Sequence, residues 1–395
     1  MEWRDYNLFA PTSEHRQLAD TLREFVTREV EPQAADHDRR EAFNHALFQQ
    51  AGELGLLGVT LPEDVGGAGL DATAAVQLFE ALSTSDPGFA LSVLAHSILF
   101  AQNLSVNGTP EQRARVLPRV ASGEWIGGLC ITEPQGGTDV LGMQTSARLD
   151  RDAYVLDGTK TWISNGGIDD HTLGDAFIVY ALSGPRRISS FLVEKGMPGF
   201  ALGQQWTDKL GMRSSFTAEL LFDGVRVPVA NRIGEEGEGS LQMMRNLEIE
   251  RLTLAAISLG IAQRSLEVMI GYANERKSFG SLLKEHGQIQ RHIAESFAEY
   301  RAARVLTYET ARQLDLSSSK RKVDADAAKL FAAQVGKRVA DAAIQVLGGY
   351  GYVGEYVVSR LWRDAKLIEI GGGTLEAHHL NLVHSLSRNP GLVSD

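Results

Sequence analysis

The stretch Leu241–Arg276 has the sequence LQMMRNLEIERLTLAAISLGIAQRSLEVMIGYANER and predicts one long helix. It lacks proline, and its apolar residues recur every three or four positions, the spacing that places side chains on one face of an α-helix. The stripe that contains Glu250 is formed by Met243, Leu247, Leu254, Ile257 and Ile261. A charged residue is therefore predicted to project from an apolar face.

Glu250 differs from its neighbour Glu248 in the charges around it on this predicted helix. Glu248 has Arg245 and Arg251 three residues to either side, so we predict that it is a surface ion-pair residue. The corresponding positions around Glu250 hold the uncharged residues Asn246, Leu247, Thr253 and Leu254. An unpaired carboxylate on an apolar face has a raised pKa, which a general base needs. Another part of the chain could instead supply a cation or a hydrogen-bond donor, so a catalytic and a structural role both stand.

The segments on either side of this helix predict the rest of the fold. Towards the C-terminus, helical periodicity over Leu282–Leu316, Val323–Leu347 and Leu375–Leu386 is typical of an antiparallel bundle. Between Trp125 and Arg232, short alternating or β-branched runs predict an antiparallel barrel or sandwich of about six to eight strands. The preceding residues are helical in pattern. The expected fold class is α+β multidomain: an N-terminal helical domain (1–124), a middle antiparallel β-barrel or sandwich domain (125–235) and a C-terminal four-helix bundle (236–395).

The composition excludes several classes of protein. A net charge of −11 without lysine or arginine runs argues against nucleic acid as a partner. Cys130 is the only cysteine, which excludes intrachain disulfides and cysteine-ligated metal clusters. By its composition we expect no apolar stretch that approaches the roughly 20 residues of a membrane span, and the N-terminus lacks a signal or transit pattern. We therefore expect a cytoplasmic protein with no membrane span.

Two patterns match known motifs but lack the required context. Gly349–Gly354 matches G-x-G-x-x-G, but it follows the helical run ADAAIQVL rather than a strand, so we reject a dinucleotide-binding fold. A glycine-rich turn there can still approach a phosphate closely. Glu376 and His379, beside His378, resemble half of a di-iron site, but no second Glu-x-x-His occurs. No metal is expected.

Two loops in the β region have the composition of a ligand site. Leu129–Asp139 (LCITEPQGGTD) can turn backbone N–H groups and a hydroxyl toward one planar or anionic ligand. Asp157–Gly166 (DGTKTWISNG) places Trp162 where its ring could cover a flat cofactor. The glutamate-containing loop Asn231–Gly239 would repel phosphate, and we interpret it as a domain boundary. Each loop by itself is also compatible with an ordinary turn.

The order of these segments resembles that of the flavin-dependent acyl-CoA dehydrogenases over nearly the whole chain. The matching segments are CITEPQGGTD (130–139), DGTKTWISNG (157–166), KLGMRSS (209–215), YANERKSFG (272–280), HGQIQ (286–290), QVLGGYGY (345–352) and RDAKLIEIGGGTLE (363–376). The resemblance implies the same three-part fold, with FAD bound between the β-domain and the bundle and partly by a second subunit. It also implies an acyl-CoA substrate, an electron-transferring flavoprotein as acceptor, and a homotetramer built as a dimer of dimers.

The resemblance assigns contacts to individual residues. Flavin-ring contacts fall on Leu129, Cys130, Ile131, Thr132, Thr138, Trp162, Ile163 and Ser164, with the Thr132 and Thr138 hydroxyls as donors. Contacts with the FAD of a neighbouring subunit or across the dimer fall on Arg276, Phe279, Gln288, Gln345, Gly348 and Gly349. Thr374 and Glu376 match the stretch beside the flavin. Substrate contacts fall on Thr138, Glu248, Arg251, Gly372 and Gly373.

The place of the catalytic base separates two groups within the family that the chain resembles. In this family a glutamate removes the α-proton of the thioester, FAD accepts the β-hydride, and a trans-2-enoyl-CoA results. Most members carry the glutamate in an E-G-T triplet before the last helix, where this chain has Gly372. A minority, including isovaleryl-CoA and long-chain acyl-CoA dehydrogenases, carry it in a Glu-Arg-Leu triplet on a bundle helix, which matches Glu250–Arg251–Leu252. The resemblance therefore assigns the base to Glu250.

The glycine loop also suggests a substrate class. A missing side chain at Gly372 should widen the pocket near the α-carbon, and in the family this arrangement goes with branched-chain or long substrates. We expect branched-chain or medium- to long-chain acyl-CoAs to rank above short straight ones. The alternative is an oxygen-using flavoprotein of the same fold, such as an acyl-CoA oxidase, nitroalkane oxidase or flavin monooxygenase. The Glu-Arg-Leu triplet and the Thr-Glu-Pro loop favour a dehydrogenase, and the retained base opposes a non-enzymatic scaffold.

Overall fold

A computed structural model describes residues 7–316 and 324–393 of the chain. The N-terminal part is helical: α1 (Ser13–Phe25), a π-helical segment (Val26–Val30), α2 (Glu31–Arg40), α3 (His45–Glu53), α4 (Ala72–Ser83), α5 (Pro87–Leu94), a second π-helical segment (Ala95–Gln102), α6 (Asn103–Asn107) and α7 (Pro110–Ala121). A capping box begins α7, because the Thr109 hydroxyl accepts from Gln112 N at 3.2 Å and Thr109 N donates to Gln112 Oε1 at 3.0 Å. The Thr-Pro-x-Gln spacing predicts this cap. Both of its hydrogen bonds join residues three positions apart, so the cap does not depend on how the rest of the chain packs.

The middle part is an eight-stranded sheet with a separate small hairpin. In chain order the strands are β1 (Gly127–Cys130), β2 (Ser146–Asp150), β3 (Ala153–Ser164), β4 (Gly167–Asp169), β5 (Thr172–Leu173), β6 (Ala176–Gly184), β7 (Arg187–Glu194), β8 (Phe200–Gln205), β9 (Thr217–Pro228) and β10 (Arg232–Ile233). The main sheet has the order β10-β7-β6-β2-β3-β9-β8, with β1 paired to β6 and β4–β5 set apart. Most pairs are antiparallel, but β1 runs parallel to β6. Alternation in a sequence specifies which face a residue occupies, not the direction of the neighbouring strand.

A bulge in β3 determines how Trp162 is presented. The register of β3 against β9 shifts between Lys160 and Ile163, and Trp162 within this interval has a φ of 60°. An extra residue in one strand bends it and changes the direction of the side chain. The Trp162 ring consequently leaves the sheet and stays 56% exposed.

The C-terminal part is a bundle of long helices. It consists of α8 (Gly239–Glu275), the hairpin β11 (Lys277–Ser278) and β12 (Ser281–Leu282), α9 (Gly287–Gln313), α10 (Asp324–Leu347), α11 (Gly349–Tyr352), α12 (Val358–Ile368) and α13 (Leu375–Arg388). The long predicted helix is confirmed as α8. The next helix begins at Gly287 rather than Leu282, because the intervening residues form the hairpin. The observed order of helices, sheet and bundle confirms the predicted fold class, while the boundaries after residues 124 and 235 remain predictions.

Helix α8 is the central element of the bundle. It packs against α4, α9, α10 and α12, and also contacts α5 and β7. Every residue from Glu248 to Ala262 is buried. A helix covered on several sides hides charged as well as apolar positions, so the polar residues of this segment meet other parts of the chain.

Two helical stretches have the length and apolar composition of a membrane span, which we did not expect from the sequence. Pro87–Asn107 and Gly239–Glu275 are long and apolar enough to cross a membrane by length and composition. The prediction that the chain has no such stretch was therefore wrong. In the structure 83% and 67% of their most apolar windows are buried inside the protein. Packing in the core accounts for their apolar character.

Candidate active site

Glu250 lies in the fully buried segment of α8. The residue is 8% exposed, and among the described residues no donor forms a hydrogen bond with its carboxylate. Burial raises the pKa of Glu250 to about 7, although the positive charges of Arg251 and Lys329 oppose this shift. A carboxylate with these properties can accept a proton from a substrate near neutral pH.

The Gly371–Gly373 loop lies directly against Glu250. A Cβ atom built on Gly372 would be 3.4 Å from Glu250 Oε1 and 2.1 Å from Leu254 Cδ1. Gly372 has a φ of 63°, a conformation that favours glycine. The two positions that carry the base in different members of the family are therefore neighbours in space. The end of the Leu254 side chain occupies the place that a Cβ on Gly372 would take. The expected widening of the pocket near the α-carbon remains a prediction.

A buried group of polar and charged side chains adjoins the same loop. Lys329 Nζ donates to the Gly373 carbonyl oxygen at 2.6 Å, and His378 Nε2 lies 3.1 Å from that oxygen. The other ring nitrogen of His378, Nδ1, lies 2.7 Å from Asp326 Oδ1. The loop is thus bonded to α10 through Lys329 and lies against α13.

A buried ion pair supports the loop that follows β1. Lys160 Nζ donates to Glu133 Oε1 at 2.8 Å and to the Ile131 carbonyl oxygen at 3.0 Å. Burial acts to raise the pKa of Glu133, but hydrogen bonds, above all the one from Lys160, outweigh it and hold this pKa at about 2. Lys160 therefore fixes the loop through an ion pair with Glu133 and through a hydrogen bond to a backbone carbonyl of the loop.

Exposed ring and hydroxyl groups beside that loop fit a flat cofactor. The Trp162 ring stacks on Trp206, with centroids 4.3 Å apart and planes inclined by 26°. The backbone N–H of the residue before Trp162 donates to the Thr132 carbonyl oxygen at 2.9 Å, so Thr132 adjoins the ring. Thr132 and Ser164 are half-buried and Thr138 is exposed. A large exposed ring held by a second ring offers a stacking surface, and the hydroxyls offer donors, so these residues fit the isoalloxazine ring of FAD.

Two of the assigned flavin contacts have side chains that face away from any such ring. The side chains of Cys130 and Ile163 belong to the interior cluster of the sheet and are 0% and 3% exposed. Burial also raises the pKa of the Cys130 thiol. Contacts from these two residues can come only from their backbone. Leu129 and Ile131 are partly buried against a second apolar cluster.

The residues assigned to the FAD of a second subunit lie on the surface. Phe279, in the turn of the β11–β12 hairpin, is 99% exposed and has a φ of 51°. The Arg276 guanidinium lies 5.8 Å from the centre of the Tyr350 ring, which brings the end of α8 next to the Gly348–Gly349 turn. Four more exposed residues belong to this set: Gln288, Gln345, Gly348 and Gly349. Their contacts with FAD remain predictions.

Glu248 is not a surface residue, contrary to the prediction. It is 5% exposed, because other elements cover α8 at this level. Arg251 is 7% exposed and its Nη1 donates to Asp326 Oδ2 at 3.0 Å. Thr374 caps α13 through its hydroxyl, and Glu376 is exposed in the first turn of that helix. The substrate and flavin contacts assigned to these residues remain predictions.

The two motifs that lacked context are placed by the structure. Gly349–Gly354 follows α10 and begins with the short α11, so it is not a strand-to-helix turn. His378 pairs with Asp326. Within residues 7–316 and 324–393, no group of three or more histidine, cysteine, aspartate or glutamate residues could hold a metal ion.

Sequence reasoning missed the buried partners of the loop, Asp326, Lys329 and His378. A signal for the first two was present, because Asp326 and Lys329 lie three residues apart in the alanine-rich run DADAAKLFAAQV. Like Glu250, both are charged residues on an apolar helix face. Nothing in the sequence indicates that Lys329 meets Gly373, which lies 44 residues further along the chain.

Three family models match the chain in the order of its three parts. The N-terminal, middle and C-terminal domains of acyl-CoA dehydrogenase match residues 12–124, 128–225 and 237–386. The chain belongs to the acyl-CoA dehydrogenase family. It is accordingly an oxidoreductase, and members of this family depend on FAD.

Relatives of this chain match most of its length. Mitochondrial isovaleryl-CoA dehydrogenase from Oryza sativa subsp. japonica is 38% identical over 379 residues, which are 94% of this chain and 90% of the relative. The structure of butyryl-CoA dehydrogenase from Megasphaera elsdenii has a TM-score of 0.90 and 33% identity, covering 97% of this chain and 99% of that one. An acyl-CoA dehydrogenase from Bacillus anthracis complexed with FAD has a TM-score of 0.89 and 31% identity, covering 99% of this chain and 68% of that one.

Proposed function

We propose that this chain catalyses the FAD-dependent α,β-dehydrogenation of an acyl-CoA thioester to a trans-2-enoyl-CoA, with Glu250 as the base. One observation carries the proposal. The Glu250 carboxylate is buried beside Gly372, has a pKa raised to about 7, and forms no hydrogen bond with the described residues.

The surroundings of Glu250 suit removal of an α-proton. The α-C–H group of a thioester is a weak acid, so its base must be desolvated and held in place. Burial within α8 provides the first condition, and packing of α8 against its neighbours provides the second. Bound FAD supplies acceptance of the β-hydride. Because Gly372 bears no side chain, nothing from this position covers the carboxylate.

We assign the flavin ring to the Leu129–Thr138 loop and to Trp162–Ser164. Two features support this assignment: the Trp162 ring stacked on Trp206, and the Lys160–Glu133 pair beneath the loop. We assign the substrate to Thr138, Glu248, Arg251, Gly372 and Gly373, as the family resemblance implies. Arg276, Phe279 and the glycine turn after α10 are assigned to the FAD of a second subunit.

For the substrate we propose a branched-chain or medium- to long-chain acyl-CoA. The base on α8 supports this choice through the resemblance, and so does the similarity to an isovaleryl-CoA dehydrogenase. Leu254, which fills the space over Gly372, weakens the argument from pocket width. A panel of straight and branched acyl-CoAs, scored by flavin reduction, ranks the candidates. A preference for short straight chains overturns this part of the proposal.

For the acceptor we propose an electron-transferring flavoprotein, and for the assembly a cytoplasmic homotetramer built as a dimer of dimers. The family resemblance supports both. The rate at which the reduced enzyme is reoxidised by oxygen distinguishes these two electron acceptors, because an oxidase or monooxygenase consumes oxygen during turnover. Rapid stoichiometric reoxidation by oxygen would favour the oxygen-using alternative. Sedimentation velocity of the FAD-bound protein tests the assembly.

The substitution Glu250→Gln tests the assignment of the base. The amide keeps the size of the side chain but cannot accept the proton, so anaerobic flavin reduction by a good acyl-CoA should slow by roughly 10²- to 10⁴-fold. FAD should remain bound, as measured by the visible absorption spectrum. Glu267→Gln is the matched control, because Glu267 is an exposed glutamate on the same helix. Flavin reduction at the wild-type rate in Glu250→Gln would sink the assignment.

A further inference from the structure

Lys329 is a buried lysine whose bonded partner is uncharged. Its residue exposure is 0%, and its Nζ donates to the carbonyl oxygen of Gly373 at 2.6 Å. It forms no ion pair with a carboxylate in the described part of the chain. Burying a charge is costly unless an opposite charge compensates it. The hydrogen bond to Gly373 satisfies one N–H donor of the ammonium group. Because a carbonyl oxygen carries no net charge, it does not neutralise the positive charge of Lys329.

The group with the largest electrostatic effect on Lys329, after burial itself, is Glu250. Burial lowers the pKa of Lys329 to about 8, and the negative charge of Glu250 is the strongest influence in the opposite direction. The effect is mutual, because the positive charge of Lys329 also opposes the raised pKa of Glu250. The geometry agrees, because Lys329 donates to Gly373 and the preceding residue, Gly372, lies against Glu250 Oε1. Each group therefore favours the charged form of the other.

Other ionisable groups around Glu250 are already engaged. On α8, Arg251 donates to Asp326 of α10, and on α13 His378 also contacts that carboxylate. On β6, burial raises the pKa of Tyr180, which keeps the phenol neutral. Arg251 and Lys329 are thus the two cations that act on Glu250, and Lys329 is the one whose hydrogen bond goes to the loop rather than to Asp326.

Lys329 is also the principal donor to the Gly373 carbonyl. His378 Nε2 lies 3.1 Å from the same oxygen, and His378 Nδ1 faces the carboxylate of Asp326. Both neighbours are acceptors, so the ring donates to both only as an imidazolium. Burial lowers the pKa of His378, which favours the neutral ring. A neutral ring whose Nδ1 donates to Asp326 has no proton on Nε2 to donate to Gly373. Lys329 is then the donor that holds the loop.

We propose that Lys329 is a positioning residue for proton transfer: it anchors the Gly371–Gly373 loop against Glu250, and its charge favours the ionised form of Glu250. The inference rests on the proposed role of Glu250 as base. The two actions have one geometric origin, because a single ammonium group contacts Gly373 while Gly372, the next residue, lies against Glu250 Oε1. Loss of the charge should shift proton transfer to higher pH, and loss of the bond should loosen the loop.

Substitution of Lys329 by Met, Gln and Arg tests the proposal. The measurement is the pH dependence of kcat/KM and of anaerobic flavin reduction, together with FAD content. In Lys329→Met the acidic limb should move up by about one pH unit, because an opposite charge at close range changes a carboxylate pKa by about that much. Below the limb, this lowers kcat/KM by about tenfold. Lys329→Arg should restore the limb.

Lys329→Gln separates the charge from the hydrogen bond, because an amide can still donate to Gly373. It should keep the loop and the FAD content and still move the limb, and it serves if Lys329→Met does not fold. Lys337→Met is the matched control: Lys337 is on the same helix, but its Nζ lies 3.8 Å from the centre of the Trp362 ring. That variant should keep the wild-type profile.

The outcomes distinguish this inference from the proposed function. An unchanged acidic limb in both Lys329→Met and Lys329→Gln would overturn the inference while leaving Glu250 as the base. In the Glu250→Gln background, Lys329→Gln should cause little further loss, because its effect acts through Glu250. Full flavin reduction in Glu250→Gln alone would instead overturn the proposed function.

Discussion

The energetics of Glu250 follow from one property, its removal from water. Its carboxylate has an ordinary pKa of 4.5 and reaches about 7 in the folded chain, although two cations oppose the shift. Each pKa unit corresponds to about 1.4 kcal/mol, so the ionised form costs the folded protein about 3 kcal/mol. A buried carboxylate that destabilises the folded protein in this way fits the role proposed for Glu250, because functional sites are selected for activity rather than for stability.

This cost predicts a pH-dependent gain in stability for Glu250→Gln. Because the pKa is raised on folding, the folded chain binds more protons than the unfolded chain between pH 4.5 and about 7. The protonated Glu250 carboxyl favours the folded state. This contribution to the free energy of unfolding is fully present below pH 4.5, the unfolded pKa, and is lost as the pH rises through the folded pKa of about 7. The thermal midpoint of Glu250→Gln should therefore exceed that of the wild type at pH 8, and the difference should shrink toward pH 5. A lower midpoint at both pH values would contradict this expectation.

Gly372 is the second residue for which the structure predicts the effect of a substitution. Gly372→Ala would force a φ of 63° on an alanine and place its Cβ 2.1 Å from Leu254 Cδ1 and 3.4 Å from Glu250 Oε1. Displacement of a catalytic group by about 1 Å can cost about 100-fold, so we expect kcat/KM to fall by about 10- to 100-fold with FAD retained.

Gly371→Ala is the control for this substitution. A Cβ there would meet nothing nearer than the Leu367 carbonyl oxygen at 3.5 Å, an ordinary contact. The added Leu254→Ala substitution should recover part of the loss in Gly372→Ala by removing the clash. Equal effects of the two alanine substitutions would show that the contact with Glu250 is not the cause.

At the scale of elements, the loop between β8 and β9 joins the sheet to α12. Met212 N donates to Asp364 Oδ1 at 2.6 Å, and the Arg363 guanidinium donates to the Leu210 carbonyl oxygen at 2.9 Å. Burial raises the pKa of Asp364 to about 7. This contact holds the sheet, which carries the proposed flavin loop, against the bundle, which carries Glu250.

Gly211→Ala should weaken this junction. A Cβ on Gly211 would lie 2.5 Å from the backbone carbon and oxygen of Arg363, and backbone atoms inside a helix cannot move away without disturbing it. We expect a loss of stability of about 1–3 kcal/mol, measured as a lower thermal midpoint, together with weaker FAD retention.

Gly271→Ala provides the comparison, because a Cβ on this residue of α8 has no atom within 4 Å. Alanine is the better helix former by about 1 kcal/mol, so this variant should be unchanged or more stable. If both variants lose stability equally, the close approach to Arg363 is not the cause.

In the whole molecule, the same loop links all three parts. On the helical side, Glu41 accepts from Asp208 N at 2.8 Å, and Asp38 accepts from Arg363 of α12 at 2.6 Å. The proposed site draws its residues from the sheet and from the bundle, so their relative placement depends on such contacts. The exposed Phe279 ring lies outside this framework, which is compatible with its proposed contact with the FAD of a second subunit.

The sequence by itself determined the features that depend on local spacing. The α8 stripe with Glu250, the capping box at Thr109 and the alternating strands were all predictable, because each is fixed by residues within a few positions of one another. The order of the motifs identified the family, and the absent glutamate at Gly372 pointed to Glu250 on α8.

Only the tertiary structure decided how these elements cover one another. It buried Glu248, filled the space over Gly372 with Leu254, and brought Lys329 and His378 onto the Gly373 carbonyl. These contacts join residues on different helices, and their existence depends on which faces pack together. A helical repeat specifies that a face is apolar, but the partner that covers it is chosen by the packing of the whole chain.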